Sequence, residues 1–257
     1  MSKVIIKNTQ QIRNLEDSGK YLTELLNILY DFIKPGVRLI DIEQKAENYI
    51  NFYNLKWAFK GYYWYPANLC LSVNDCVVHG IPDDYILKEW DLLKVDCGIQ
   101  YKWMITDAAF SIVVWWDDKN ERAKHLHRAT KRILDEAILL LVPGKSLYEY
   151  SKKAYNIAKD EWISIIRNLT WHWVWLKLHE PPLIYNYPNA ELKKYIIKPW
   201  MTVAIEPITA EKSKYAVEIK GIPWNMYTEK WDLWAQWEYT ILITDNWPKI
   251  IAGLSNN

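Results

Sequence analysis

Apolar residues recur at helical spacing near the start of the chain, at Ile12, Leu15, Leu22, Leu26 and Leu29. Asn8 and Thr9 stand where a helix cap belongs, and Pro35-Gly36 where a helix must stop. A second predicted helix follows, with Ile42, Ala46, Tyr49 and Tyr53 on one face. After Gly61 the pattern turns strand-like and short-turned. Leu92 to Asp96 and Ile105 to Val114 predict two strands of a hairpin, and residues 119–142 another long helix that also ends in Pro-Gly.

The pattern repeats at an offset of 108 residues. Ile33-Lys34-Pro35-Gly36-Val37-Arg38-Leu39 corresponds to Leu141-Val142-Pro143-Gly144-Lys145-Ser146-Leu147, and Lys45-Ala46-Glu47-Asn48 to Lys153-Ala154-Tyr155-Asn156. Pro-Gly after a helix is ordinary stop chemistry. The shared offset nonetheless points to a duplicated half, so two similar halves should face each other across a cleft.

At 257 residues, one domain spanning 1–257 is the expectation. Half the residues are hydrophobic and the net charge is +1, so charge gives no reason to expect a nucleic-acid or anionic-membrane partner. The longest apolar run, Ala137 to Val142, is far too short to span a bilayer. The N-terminus becomes polar too soon for a secretory signal. Cys70, Cys76 and Cys97 are odd in number and in no metal-knuckle spacing, which suits free thiols in a reducing cytoplasm.

Two aspartates interrupt apolar strand-like runs, Asp96 in LLKVDCG and Asp107 in MITDAAF. A hairpin turning near Lys102 can bring them side by side. Aspartate suits a strand interior poorly, and a buried carboxylate pair is costly unless a cation neutralises it. These two alone leave open an alternative with one of them facing solvent. Glu206 in TVAIEPI and Glu238 in AQWEYTILIT are again lone acids in apolar runs, and His172 and His179 lie between the two pairs. Four carboxylates and an imidazole suit two hard or borderline divalent ions. A structural zinc site would be rich in Cys and His instead. Two such ions can activate water near neutral pH and clamp a tetrahedral intermediate.

Five ordered stretches carry a family resemblance. They are GYYWYPANLCLSVNDCVVHGIPDD at 61–84, LLKVDCG with MITDAAF at 92–110, WHWVWLKLHEPP at 171–182, KPWMTVAIEPI at 198–208 and AQWEYTILITDNWPKII at 235–251. The chain resembles the type I methionine aminopeptidases of the pita-bread metallopeptidases from about residue 8 to 252. That resemblance implies an α+β fold, a curved antiparallel sheet with helices outside and halves related by a pseudo-twofold. It implies an enzyme that removes the initiator Met from nascent proteins when the second residue is small, and that uses two divalent ions (Co, Mn, Fe or Zn). By motif, Asp96, Asp107, His172, Glu206 and Glu238 correspond to the metal ligands, with Asp107 and Glu238 bridging. His79 corresponds to the histidine that contacts substrate near its amine and scissile bond. His179 corresponds to the one that steadies the substrate carbonyl, and Glu206 also handles protons. Phe59, Tyr62, Tyr65, Cys70, Leu178 and Trp224 match the methionine pocket, Phe59 and Leu178 departing in detail but staying apolar. His125 and His127 lie on a charged helix and have no such role. The partner implied is the N-terminus of a nascent chain at the ribosome, met by a cytoplasmic monomer.

Where the family pattern has Gly-His-Gly-x-Gly, this chain reads Trp171-His172-Trp173-Val174-Trp175. Trp64, Trp90 and Trp200 show the same exchange. Trp57, Trp103, Trp115, Trp116, Trp162, Trp231, Trp234 and Trp247 stand in turn contexts that favour glycine, while Trp224 and Trp237 stand where an aromatic belongs. The chain has 16 Trp and only 8 Gly, against roughly 18 Gly at the usual frequency of about 7%. Reading fourteen of the Trp as Gly would give 22 Gly and 2 Trp. One cause would explain them all: a gene in which UGA means glycine, translated as if it meant tryptophan. The excess of Lys (26) over Arg (6) fits an A/T-rich genome in which such recoding occurs.

Two other readings stay open. A pita-bread peptidase of other specificity, such as a proline-specific one, usually carries an additional N-terminal domain. A pita-bread binding protein without catalysis would lack the ligands that this chain has.

Overall fold

The computed structural model describes residues 7–115, 120–221 and 224–255. Trp116 and the Met1-Ser2 start lie outside them. Helix α1 runs Thr9–Phe32, and its first turn is closed by a capping box in which Asn8 accepts the Gln11 N–H and Gln11 reaches back to Asn8 N–H. Its apolar face, Leu15, Leu22, Leu25, Leu26 and Leu29, is fully buried. Gly19 lets the helix lie on the strand Pro248–Ala252, because a Cβ there would sit 1.9 Å from the Ile251 carbonyl oxygen. Helix α2 runs Leu39–Phe52, so Tyr53 caps the helix instead of extending its face.

Strand β1 (Lys56–Trp57) and β2 (Leu69–Val73) both pair with β3 (Leu92–Tyr101). On the other side β3 pairs with β4 (Met104–Val113) along its whole length. β3 outruns the sequence expectation of Leu92 to Asp96, because a two-residue turn at Lys102-Trp103 keeps the pair in register to the tip, while β4 keeps its expected length one residue earlier. Helix α3 spans Glu121–Ala137 and tightens into a 3-10 turn at Ile138–Leu140, short of the expected 142. Helix α4 follows at Leu147–Asp160.

The rest of the chain is mostly short antiparallel strands. They are β5 (Ser164–Ile165), β6 (Trp171–Trp173), β7 (Glu180–Ile184), β8 (Thr202–Ile205), β9 (Ile208–Ala210), β10 (Ala216–Glu218), β11 (Met226–Thr228), β12 (Trp234–Gln236), β13 (Tyr239–Ile243) and β14 (Pro248–Ala252). One sheet has the order β14-β13-β8-β6-β7, a second β12-β9-β5, and β10 and β11 form a ribbon. Trp57 and Trp234 therefore lie in strands, not turns, each held by pairing that local composition does not reveal.

The internal repeat is geometric as well as sequential. Helices α2 and α4 begin at 39 and 147 and end at 52 and 160, the same offset at both ends. Gly36 and Gly144 precede them at φ 88° and 89°, donating to Leu87 O and Ile197 O. Leu39 and Leu147 then donate to Tyr85 O and Tyr195 O. Helices and curved antiparallel sheets in two related halves make the α+β pita-bread fold. No described helix is long and apolar enough to cross a membrane.

Candidate metal centre and substrate cleft

In the β3–β4 register Asp96 pairs with Ala109 and Gly98 with Asp107. Alternation then puts both aspartates on one face as diagonal neighbours. His172 is carried by β6 opposite Ala204 of β8. Glu206 falls between β8 and β9, and Glu238 between β12 and β13. Since β8 pairs with β13 and β9 with β12, both glutamates stand where a strand pair passes from one sheet to the other. Glu238 N–H donates to Ala109 O at 2.8 Å, which locks this bend against β4.

Asp107, His172 and Glu238 each offer a ligand atom, all within 4.8 Å of one another. His172 Nε2 is 3.8 Å from Asp107 Oδ2 and 3.8 Å from Glu206 Oε1. Its Nδ1 lies 3.2 Å from Trp173 O. A carbonyl can only accept, so Nδ1 carries the hydrogen and Nε2 turns a lone pair to the carboxylates. Gln236 bridges the remaining acids, with Nε2 at 3.1 Å from Glu206 Oε2 and 3.4 Å from Asp96 Oδ2. Sequence patterning did not single out Gln236. Its signal was the same as for the acids, a lone polar residue in the apolar run AQWEYTILIT.

Burial, then mutual repulsion, pushes the Asp107, Glu206 and Glu238 carboxyls well above the ordinary range. Burial also raises Asp96, to about 7. Burial and the neighbouring His179 lower His172 to about 3, keeping its imidazole neutral. Asp96 Oδ1, Asp107 Oδ1 and both Glu238 oxygens are buried without a hydrogen-bond partner. Four ionised carboxylates would place four negative charges in a buried pocket, an arrangement that two divalent cations neutralise. The donor set therefore fits divalent metal.

The acids form the floor of a cavity of about 480 Å³. Its wall contains every remaining residue expected from the sequence: His79, His179, Phe59, Tyr62, Tyr65, Cys70, Leu178 and Trp224. Phe59, Tyr65, Cys70 and Leu178 form one buried apolar cluster, with Tyr62 and Trp224 against it. Tyr65 shares its hydroxyl proton between Leu69 O (2.9 Å) and Gly80 O (3.0 Å), tying the Cys70 strand to the segment that follows His79. His179 packs edge-on to His172, ring centres 4.3 Å apart, with Nδ1 at 3.1 Å from the Tyr62 hydroxyl. His79 and His179 reach solvent at the mouth, yet the surrounding wall lowers both, His179 to about 4. Both rings are neutral at pH 7. Asn168, Thr170, Leu183 and Ile208 also line the cavity and carried no sequence signal. His125 is a surface partner of Glu161, and His127 packs on Trp237, so neither lines it.

The model of metallopeptidase family M24 matches residues 13–245. The methionine aminopeptidase of Mycoplasma capricolum is 32% identical over 251 residues, 97% of this chain and 98% of that protein. The Escherichia coli K12 enzyme of the same name is 29% identical over 97% of this chain and 94% of its own. The crystal structure of the Thermotoga maritima methionine aminopeptidase superposes with a TM-score of 0.92 at 33% identity, covering 98% of this chain and 100% of that one. The Pyrococcus horikoshii prolidase shares the fold, with a TM-score of 0.73 at 21% identity, but this chain covers 65% of it. The chain belongs to metallopeptidase family M24 and, within it, to the methionine aminopeptidases.

Proposed function

We propose that this enzyme removes the initiator methionine from nascent proteins whose second residue is small, using two divalent ions held by Asp96, Asp107, His172, Glu206 and Glu238. The observation that carries the reading is one cavity with a carboxylate-imidazole floor and an apolar, thiol-bearing side pocket. When bound, the ions supply Lewis acidity and an activated water. The pocket of Phe59, Tyr65, Cys70, Leu178 and Trp224 takes the unbranched thioether side chain. Neutral His79 meets the substrate near its amine and scissile bond. Neutral His179 donates to the scissile carbonyl oxygen as charge grows there. Glu206 Oε2 is engaged by Gln236, which leaves Oε1 to hold the transferred proton. Asp107 and Glu238, whose ligand atoms lie within 4.8 Å of each other and of His172, would be shared in holding the two ions. Residues 1–257 act as one catalytic domain, a monomer that meets nascent chains at the ribosome in the cytoplasm.

The test is Met release from Met-Ala and Met-Ser peptides with Mn(II) or Co(II), beside X-Pro dipeptides. Met release that needs metal and falls sharply with a bulky second residue is the expected result. Preference for X-Pro peptides would place the chain with the proline-specific branch of the fold instead.

A further inference from the structure

Lys94, the third residue of β3, is 1% exposed, with its Nζ 4.5 Å from the centre of the Trp234 ring. It lies two residues before Asp96 and therefore on the same face of the sheet. Lysine is almost never fully buried without partners, and a site needing only volume would hold an apolar residue. The Lys94 Nζ donates to Asn74 O at 2.8 Å and Leu92 O at 3.1 Å. Asn74 is the first residue after β2 and stands at φ 52°. Its N–H donates to Leu92 O, its amide Nδ2 to Asp91 Oδ1, and its Oδ1 accepts the Leu92 N–H. From this anchor the chain runs five residues to His79, itself at φ 59°. On the way Val77 N–H bonds Met226 O, and beyond it Ser72 Oγ accepts the Gly80 N–H at 3.1 Å.

We propose that Lys94 is a positioning residue for His79, pinning the loop 74–79 to the strand that carries Asp96. The same strand thus sets a floor carboxylate and, through a side chain on the same face, the histidine over the mouth. The proposal rests on the substrate-contacting role given to His79 above. The test is a double-mutant cycle of Lys94→Met and His79→Ala, read as kcat/KM on Met-Ala, with amide exchange of residues 74–80 in the metal-free protein. Lys94→Met should cost about tenfold in the His79 background, the scale of one lost buried hydrogen bond, and almost nothing once His79 is alanine. Exchange at Val77 and Gly80 should quicken while β4 stays protected. Lys94→Gln, which keeps a donor, should recover part of both effects and replaces Lys94→Met in the cycle if that variant does not fold. Equal losses in both backgrounds, or unchanged exchange across 74–80, would overturn the proposal. Full activity of His79→Ala alone would instead overturn the role of His79.

Seven of the fourteen tryptophans marked in the sequence stand on positive-φ backbone. Of thirteen described non-glycine residues with positive φ, eight are Trp, at 64, 90, 103, 115, 162, 200, 224 and 231. An indole has no preference for that region, which glycine enters freely. The motifs are specific. Trp162 stands at φ 57° just past α4, where Ile163 N–H returns to Ala158 O and Trp162 N–H to Lys159 O. This is the glycine position of a Schellman cap. The corresponding residue 108 positions earlier is Asn54, in the same cap after α2. Trp200 follows Pro199 at φ 65°, the torsion that a type II turn gives to glycine after proline. Lys102-Trp103, at φ 46° and 71°, is the tight hairpin turn that favours Asn-Gly. Trp162 is 91% exposed and Trp64 86%, so neither indole contributes burial. On either side of His172, Trp171 and Trp173 bury in the core indole N–H groups that have no acceptor.

We infer that the gene specifies glycine at the fourteen positions that the family pattern and the turn contexts mark. Trp224 also stands at positive φ, but its ring lines the methionine pocket and it stays outside the fourteen. The check is the gene's codons together with peptide masses of the protein from its own source. UGA codons and glycine masses at positions 64, 90, 103, 162, 171, 173 and 200 are expected. UGG codons, or tryptophan in the native peptides, overturn the inference.

Discussion

Thr240 grips the backbone of Asp107 in both directions. Its Oγ1 accepts the Asp107 N–H at 2.9 Å and donates to the Asp107 carbonyl at 2.6 Å. Asp107 is on β4 and Thr240 on β13, two residues past Glu238, so one hydroxyl fastens two floor acids from different sheets. Thr240→Val keeps the shape and removes both bonds. It should cost about 1–3 kcal/mol, the penalty for buried unsatisfied groups. At roughly 2–4 °C per kcal/mol for a domain near this size, calorimetry should show a lower Tm. Titration with Mn(II) should show weaker binding. An unchanged Tm would mean that the clasp contributes nothing.

Asp107→Ala removes the acid whose ligand atom lies within 4.8 Å of those of both His172 and Glu238. Metal content per chain should fall, and Met release should drop below detection. Glu206→Gln, nearly isosteric, should keep the fold and lose turnover through loss of the proton-holding oxygen. Atomic absorption with a Met-Ala assay on both variants checks this, and normal turnover by Asp107→Ala would exclude the proposed floor.

Metal-free protein should lose stability as pH rises above about 6.5. Burial first, and then neighbouring acids, raise Asp107, Glu206 and Glu238 in the folded state, and burial brings Asp96 to about 7. The unfolded carboxyls titrate at about 4. Between those values these carboxyls hold more protons in the folded state. The lowered histidines His79, His127, His172 and His179 oppose them up to pH about 6.5, and above it stability falls with rising pH. The carboxyl contribution is full below pH about 4 and is lost as pH climbs through the folded values. Thermal melts with chelator should therefore give a higher Tm at pH 6.5 than at pH 8. Divalent metal should shrink that difference, because the cations replace the protons. A metal-free Tm that rises over this range would contradict the account.

Expression of two versions tests the tryptophan positions directly. Overpacking costs about 1–3 kcal/mol per site, while a domain is stable by about 5–15 kcal/mol. Fourteen indoles can exceed that margin even with several in solvent. The chain with tryptophan at these positions should be insoluble or inactive, and the version with glycine at all fourteen soluble and active with Mn(II) or Co(II). Trp171→Gly and Trp173→Gly together should be needed for metal binding, since those residues flank His172. Equal activity of the two versions would count against glycine.

Local patterning alone specified the long helices. Asn8 with Gln11, the Leu22-Leu26-Leu29 stripe and the Pro-Gly stops act within a few residues of one another, where propensity and periodicity suffice. The same locality exposed Asp96, Asp107, Glu206 and Glu238 as lone acids in apolar runs, and the repeat offset that α2 and α4 reproduce. Their assignment as one ligand set came from family motifs and not from periodicity. Tertiary structure decided the rest. Asp107 stands diagonal to Asp96 only because the two-residue turn at Lys102-Trp103 sets the register, and a slip by one residue would turn it to the other face. Gln236, Thr240 and Lys94 are unremarked in sequence because their partners lie 140, 133 and 20 positions away. Such contacts depend on which strands pair across the sheets, a choice made by burial of the whole chain rather than by the residues beside each site.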